Sequence, residues 1–323
     1  MTEKQFLKNL DVPVSRIDAI LDTDTYNEID DQFALAYMLM NGDKINTVGI
    51  CAAPFLNHKS VSAEDGMEKS YDEIMRILTL MGREDMKDKV YRGSTSFLKS
   101  EDEPVVSDAA KYIVETAKGY SPEKPLYVVA IGAITNVASA VLLAPEVMRE
   151  NTVIVWLGGN AHNCYSYAEF NLVQDVASAR VVFKSGAPII QLPCLGVVSQ
   201  FVTTEPELNY WLKGRNELAD YLAQNVIDNY GVHDVPTAWG KCIWDVTAVA
   251  WLLNDNGKFM HSSVVDCPIP LYEGGYEFDP SRKIRYVERI YRAPLFTDLF
   301  LTLGGDSERL EKYRSAGKKG EII

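Results

Sequence analysis

The chain has 323 residues, of which 47% are hydrophobic, and a formal net charge of -13 at pH 7. That much apolar material can fill one large core, so a single domain over 1–323 is expected. The charge excludes nucleic acid as a partner, because binding a phosphate backbone depends on clustered Lys and Arg that release counterions.

The opening stretch, MTEKQFLKNLDVPVSRID, is polar and lacks the apolar centre of a signal peptide, so export is not indicated. A short apolar run at 17–21 ends in Asp22 and reads as a strand. The dense apolar pattern at 33–40, closed by Asn41 and Gly42, then reads as a buried helix. Residues 47–53 are strand-like, and 70–81 show helical spacing through Tyr71, Ile74, Ile77 and Leu78 before Gly82. The longest apolar run, 126–144, contains Gly132, Thr135, Asn136 and Ser139. It reads as a strand at 126–131 and a helix at 136–143, and no membrane span is expected.

A strand at 153–157, a helix at 176–185 and a strand at 188–192 continue the alternation, and 205–230 reads as one amphipathic helical stretch. The cysteines Cys51, Cys164, Cys194, Cys242 and Cys267 are odd in number and widely spaced, as expected of reduced thiols in cytoplasm. Alternating strands and helices predict an α/β fold with a mostly parallel, Rossmann-like sheet covered on both faces. Ligands of such sheets gather at the carboxyl ends of the strands, where Asp22, Asp24, Thr135 and Asn160 fall.

Asp22, Asp24, Asp30 and Asp31, with Glu28 among them, crowd the junction between the first strand and the first buried helix. Carboxylates sharing one site either raise one another's pKa or bind a cation, and oxygen ligands select calcium or magnesium. An EF-hand loop starting at Asp22 is excluded, because Phe33 takes the position where a bidentate Glu is needed. A haloacid dehalogenase-type phosphatase also begins with Asp-x-Asp after a strand, but Tyr26 replaces its following Thr.

The segment LDTDTYNEIDD resembles the N-terminal signature of the nucleoside hydrolase family, in which a strand ends in Asp-x-Asp and a loop leads to Asp-Asp opening a helix. GAITNVASAVLLAPEV (132–147) resembles that family's Leu-Thr-Asn motif, AEFN (168–171) its Glu-Phe-Asn motif, and IWDVTAVAWL (243–252) its C-terminal aspartate helix. The resemblance implies a calcium-dependent enzyme that hydrolyses the N-glycosidic bond of a small-molecule ribonucleoside in purine or pyrimidine salvage, working as a homodimer or homotetramer. It implies calcium on Asp24, Asp31, Asp245 and the backbone carbonyl of Thr135, with Asp24 also the general base. Asp30 and Asn171 would hold the ribose 2′-hydroxyl, Glu169 and Asn163 the 5′-hydroxyl, and Asn57 would support Asp24. Asp22 would orient loop amides or ligands, and Thr135 or Asn136 would cap the helix that follows.

Two departures stand out. Thr25 to Ile29 make the first loop longer than the family's Pro-Gly turn, so Asn27 or Glu28 can also reach the site. Trp244 stands before Asp245 where well-known members have His. His233 is then a candidate acid for the leaving group. Tyr165, Tyr167, Trp239 and Trp244 are candidates to stack on the base. A ribose-binding protein without catalysis is the alternative on the same fold.

Overall fold

The computed structural model describes residues 1–231 and 237–318. A short helix, α1 (Glu3–Asn9), precedes β1 (Ile17–Thr23), α2 (Asp31–Met40), β2 (Ile45–Ala52), α3 (Ala63–Leu80), β3 (Val90–Arg92), α4 (Asp108–Ala117) and β4 (Leu126–Ala130). Next come α5 (Thr135–Leu143), α6 (Pro145–Asn151), β5 (Thr152–Leu157), α7 (Phe170–Gln174), α8 (Val176–Lys184) and β6 (Ile189–Leu192). The remainder is β7 (Val202–Thr203), α9 (Glu205–Trp211), α10 (Glu217–Tyr230), β8 (Lys241–Cys242), α11 (Val246–Leu252), β9 (Met260–Pro270), β10 (Tyr276–Ile290), α12 (Arg292–Leu303) and α13 (Ser307–Lys318).

Eight strands form one sheet in the order β3-β2-β1-β4-β5-β6-β10-β9. Every neighbouring pair is parallel except β10 with β9. The central strands β1, β4, β5 and β6 are mostly apolar because both of their faces are covered. Ala19 and Leu21 enter one core layer and Ile20 the other, and Val153, Val155 and Leu157 likewise oppose Ile154 and Trp156. From β1 the chain order runs one way through β2 and β3 and the other way through β4, β5 and β6, which opens a crevice above the carboxyl ends of β1 and β4. That crevice is where the aspartates lie.

The predicted strands are present with ends moved by one or two residues, and two helices begin earlier than the apolar periodicity suggests. α2 opens at Asp31. α3 opens at Ala63, where the Ser62 side chain accepts the Asp65 amide as a cap. The stretch 205–230 is two helices rather than one: Gly214 turns with φ +74° and Asn216 caps the second through the Ala219 amide. Neither Thr135 nor Asn136 caps α5, whose capping position is Ile134. All five cysteines are free. Among the described residues, no helix is long and apolar enough to cross a membrane.

Candidate active site

β1 delivers Asp22 and Thr23 to its carboxyl end and Asp24 just beyond, all at most 1% exposed. Asp22 accepts the Asn136 Nδ2 at 2.8 Å, so the first motif and the α5 motif are tied beneath the site. Burial pushes Asp22 up to about 7. Gly132, in the turn after β4, lets that turn press on Asp24: a Cβ there would lie 2.9 Å from the Asp24 carboxyl carbon.

Neither carboxylate oxygen of Asp24 meets a hydrogen-bond donor among the described residues. Burial, and then the charge of Asp31, holds its pKa well above the ordinary carboxylate value. Asp31, the first residue of α2, accepts the Thr23 hydroxyl at 2.5 Å, and burial with the Asp30 charge raises it to about 7. Asp245 stands at the start of α11, also raised well above its ordinary value by burial and then by Asp30, Asp31 and Asp24. Carboxylate oxygens of Asp30, Asp31 and Asp245 lie within 4.8 Å of one another. Asp30, Asp31 and Asp245 at the starts of two helices, with Asp24 just past β1, make an oxygen-donor centre suited to a hard cation.

A cavity of about 220 Å³ opens above this cluster. Asp24, Asp30, Asp31 and Asp245 line it, as do Asn27, Glu28, Ile131, Asn160, Glu169, Asn171 and Trp244. Glu169 caps α7, accepting amides from Gly159 at 2.7 Å, Asn171 at 2.9 Å and Leu172 at 3.0 Å. Burial still leaves its pKa raised, with those amides working against the shift. Asn171 donates through Nδ2 to the carbonyls of Ile131 (3.1 Å) and Leu157 (3.0 Å), which leaves its side-chain oxygen to face the cavity as an acceptor.

Several expected residues stand elsewhere. Thr135 does not line the cavity: its hydroxyl donates to Asp175 at 2.8 Å, and as the first residue of α5 its carbonyl points along the helix axis. Ile131, at the end of β4, is the residue that lines the cavity there. Asn163 is exposed, whereas Asn160, fully buried, lines the wall with its oxygen fixed by the Leu195 amide at 3.0 Å. Asn57 is half-buried outside the cavity and donates to Asn27 Oδ1 at 2.7 Å, so its support reaches the cavity through Asn27 and not Asp24. Of the four aromatic candidates only Trp244 lines the cavity; Tyr165 is 92% exposed. His233 lies outside the described residues. His162 is held between the rings of Tyr276, Phe278 and Tyr286, and burial lowers its pKa.

The sequence offered no signal for Lys241. Its ammonium, buried beside the cluster, pairs with Glu28 and lies 3.5 Å from Asp30 Oδ1. The partners are over two hundred positions away in the chain, beyond the reach of any local pattern.

Fold and site together define an α/β protein with a buried oxygen-donor centre at the switch point of a parallel sheet. Residues 19–288 match the family model described as inosine-uridine preferring nucleoside hydrolase, and the chain belongs to that family. It is 29% identical over 239 residues to the pyrimidine-specific ribonucleoside hydrolase RihA of Photobacterium profundum, a match covering 65% of this chain and 76% of that one. It is 27% identical over 158 residues to the pyrimidine-specific ribonucleoside hydrolase RihB of Escherichia coli, covering 46% of this chain and about half (48%) of the relative. The purine-preferring ribonucleoside hydrolase of Gardnerella vaginalis superposes with a TM-score of 0.69 at 21% identity, over 89% of this chain and 98% of that one, a likeness of fold.

Proposed function

We propose that the protein hydrolyses the N-glycosidic bond of a ribonucleoside or related N-riboside, giving ribose and free base, with calcium held by Asp24, Asp31, Asp245 and the backbone carbonyl of Ile131. The observation that carries this reading is Asp24: two buried carboxylate oxygens that meet no donor among the described residues, in the wall of a cavity and under the charges of Asp31 and Asp30. Uncompensated carboxylates at that depth are costly unless a cation or a proton joins them, and an all-oxygen donor set fits calcium. Bound there, calcium would offset the carboxylate charge and acidify a neighbouring water.

The chain's own groups supply the rest. Asp24 takes the proton from the attacking water as general base. Asp30 accepts the hydrogen bond of the ribose 2′-hydroxyl, the free oxygen of Asn171 stands beside it as a second acceptor for the sugar, and Glu169 with Asn160 receives the 5′-hydroxyl. These contacts orient the sugar and favour the oxocarbenium-like charge that develops as the bond to the base breaks. Trp244 offers a flat apolar face to the base. Incubation with a panel of purine, pyrimidine and modified ribosides, with and without a chelator, tests the proposal. Steady, calcium-restored release of reducing sugar is expected, and binding of ribosides without release would overturn it.

A further inference from the structure

Lys241 lies at the start of β8 with a side chain only 6% exposed, yet it does not line the substrate cavity. Its ammonium sits over the Tyr230 ring at 4.9 Å, pairs with Glu28 and lies 3.5 Å from Asp30 Oδ1. Both acids line the cavity. The other oxygen of Asp30 is already taken by backbone amides, from Trp244 at 2.8 Å and Asp245 at 3.4 Å. Among the described residues Oδ1 itself meets no hydrogen-bond donor, so the ammonium acts on it as a neighbouring charge, holding that oxygen toward Lys241 while the amides hold the other.

Stability alone does not account for this arrangement, because a buried ion pair is often no better than apolar residues of the same volume. Placement does account for it. The loop 24–30 is long and carries Asp24, Asn27, Glu28 and Asp30 to one wall, and Lys241 reaches it from a separate element. An ammonium shared between two carboxylates of one loop holds their separation as well as their direction. Burial opposes the charge on Lys241, but Asp30 and Glu28 more than offset it and raise its pKa.

We infer that Lys241 is a positioning residue that holds Glu28 and Asp30 on the cavity wall so that Asp30 meets the ribose 2′-hydroxyl. This rests on the function proposed above. The chemistry recognised is a cis-diol sugar with a free 2′-hydroxyl, and Lys241 acts on it only through Asp30.

The test compares ribose with 2-deoxyribose binding to the calcium-loaded protein by calorimetry, alongside kcat/KM for a ribonucleoside and its 2′-deoxy counterpart. Lys241→Met should lower the ribose preference about tenfold, the scale of one hydrogen bond to a charged group. Lys241→Arg should restore most of it, and calcium affinity should move less than about threefold, since Lys241 touches none of the proposed ligands. An unchanged preference, with both sugars weakened alike, would overturn the assignment, as would equal binding of the two sugars by the unsubstituted protein. If Lys241→Met does not fold, Glu28→Gln loosens the same clamp and should lower the preference a few-fold; no change there would also overturn it. An unsubstituted protein that prefers ribose yet cleaves nothing sinks the hydrolase reading, while the binding ratios still decide the role of Lys241.

Discussion

Asp30 Oδ2 accepts the Trp244 backbone amide at 2.8 Å, joining residues 214 positions apart. This bond docks the start of α11 against the start of α2, so that the positive ends of two helices face one carboxylate cluster. Asp31 and Asp245 are brought together by the same contact. The centre is therefore assembled from both halves of the chain, and each half supplies charge that the other must tolerate.

Removing one charge from that centre should remove the cation. Asp31→Asn or Asp245→Asn is expected to weaken calcium binding by roughly 100-fold or more, since even groups that only orient ligands cost about 10–100-fold. Activity should fall with it. Metal analysis of the purified variants checks this, and a variant that keeps stoichiometric calcium would remove that residue from the ligand set.

Asp24→Asn tests the base. Ribose binding should remain largely intact, while turnover at saturating substrate and saturating calcium drops by about 10² or more, the usual share of general-base catalysis. A loss of only about twofold would assign proton removal to another group.

The buried acids also set a pH dependence. Asp22 and Asp31 are raised from ordinary carboxylate values to about 7. Between about pH 4 and pH 7 the folded, metal-free chain thus binds more protons than the unfolded one, and stability falls as pH rises through that window. Metal-free protein should melt at least about 2 °C higher at pH 5 than at pH 8. Calcium should reverse the trend, because binding displaces protons from its ligands, Asp31 among them, and strengthens as pH rises. Melting curves at both pH values, with and without calcium, would refute this if the metal-free protein were the more stable at pH 8.

β1, β2, β4, β5 and β6 were legible because burial on both faces turns each into a largely apolar run, and the aspartates because they interrupt such a run at its end, whereas β3 is three residues with one buried and gives no such run. Other features depend on contacts that no local pattern encodes. Asn160 and Asn163 share one loop, and tertiary contacts select Asn160 as the buried one: the Leu195 amide from beyond β6 donates to its oxygen, and its Nδ2 donates to the Ser166 carbonyl. Ile131 lines the cavity beside a carbonyl, which any residue type provides, so its side chain gives no sign of it. Much of β10 is exposed and charged, and its pairing with β9 leaves little apolar alternation to read.

Trp244 should serve the leaving group and not the cation, although it adjoins Asp245. Successive residues at a helix start point about 100° apart, so Asp245 can face the acidic cluster while Trp244 lines the cavity beside it. An indole donates a hydrogen bond or stacks, but it has no proton to give at neutral pH as an imidazolium has. Its contribution is then to bind the base in a pose and environment that make departure easier, while solvent or another group protonates it. Trp244→Ala should slow cleavage of natural nucleosides about tenfold or more, the scale of base–aromatic stacking. A p-nitrophenyl riboside, whose leaving group needs no protonation, should lose less. The Trp244 amide that binds Asp30 is backbone and survives the substitution, so calcium affinity should stay within about threefold. Kinetics on both substrates with a calcium titration decide the matter. Equal losses on the two substrates would confine Trp244 to shaping the sugar site, and a large loss of calcium would make it a structural support of α11.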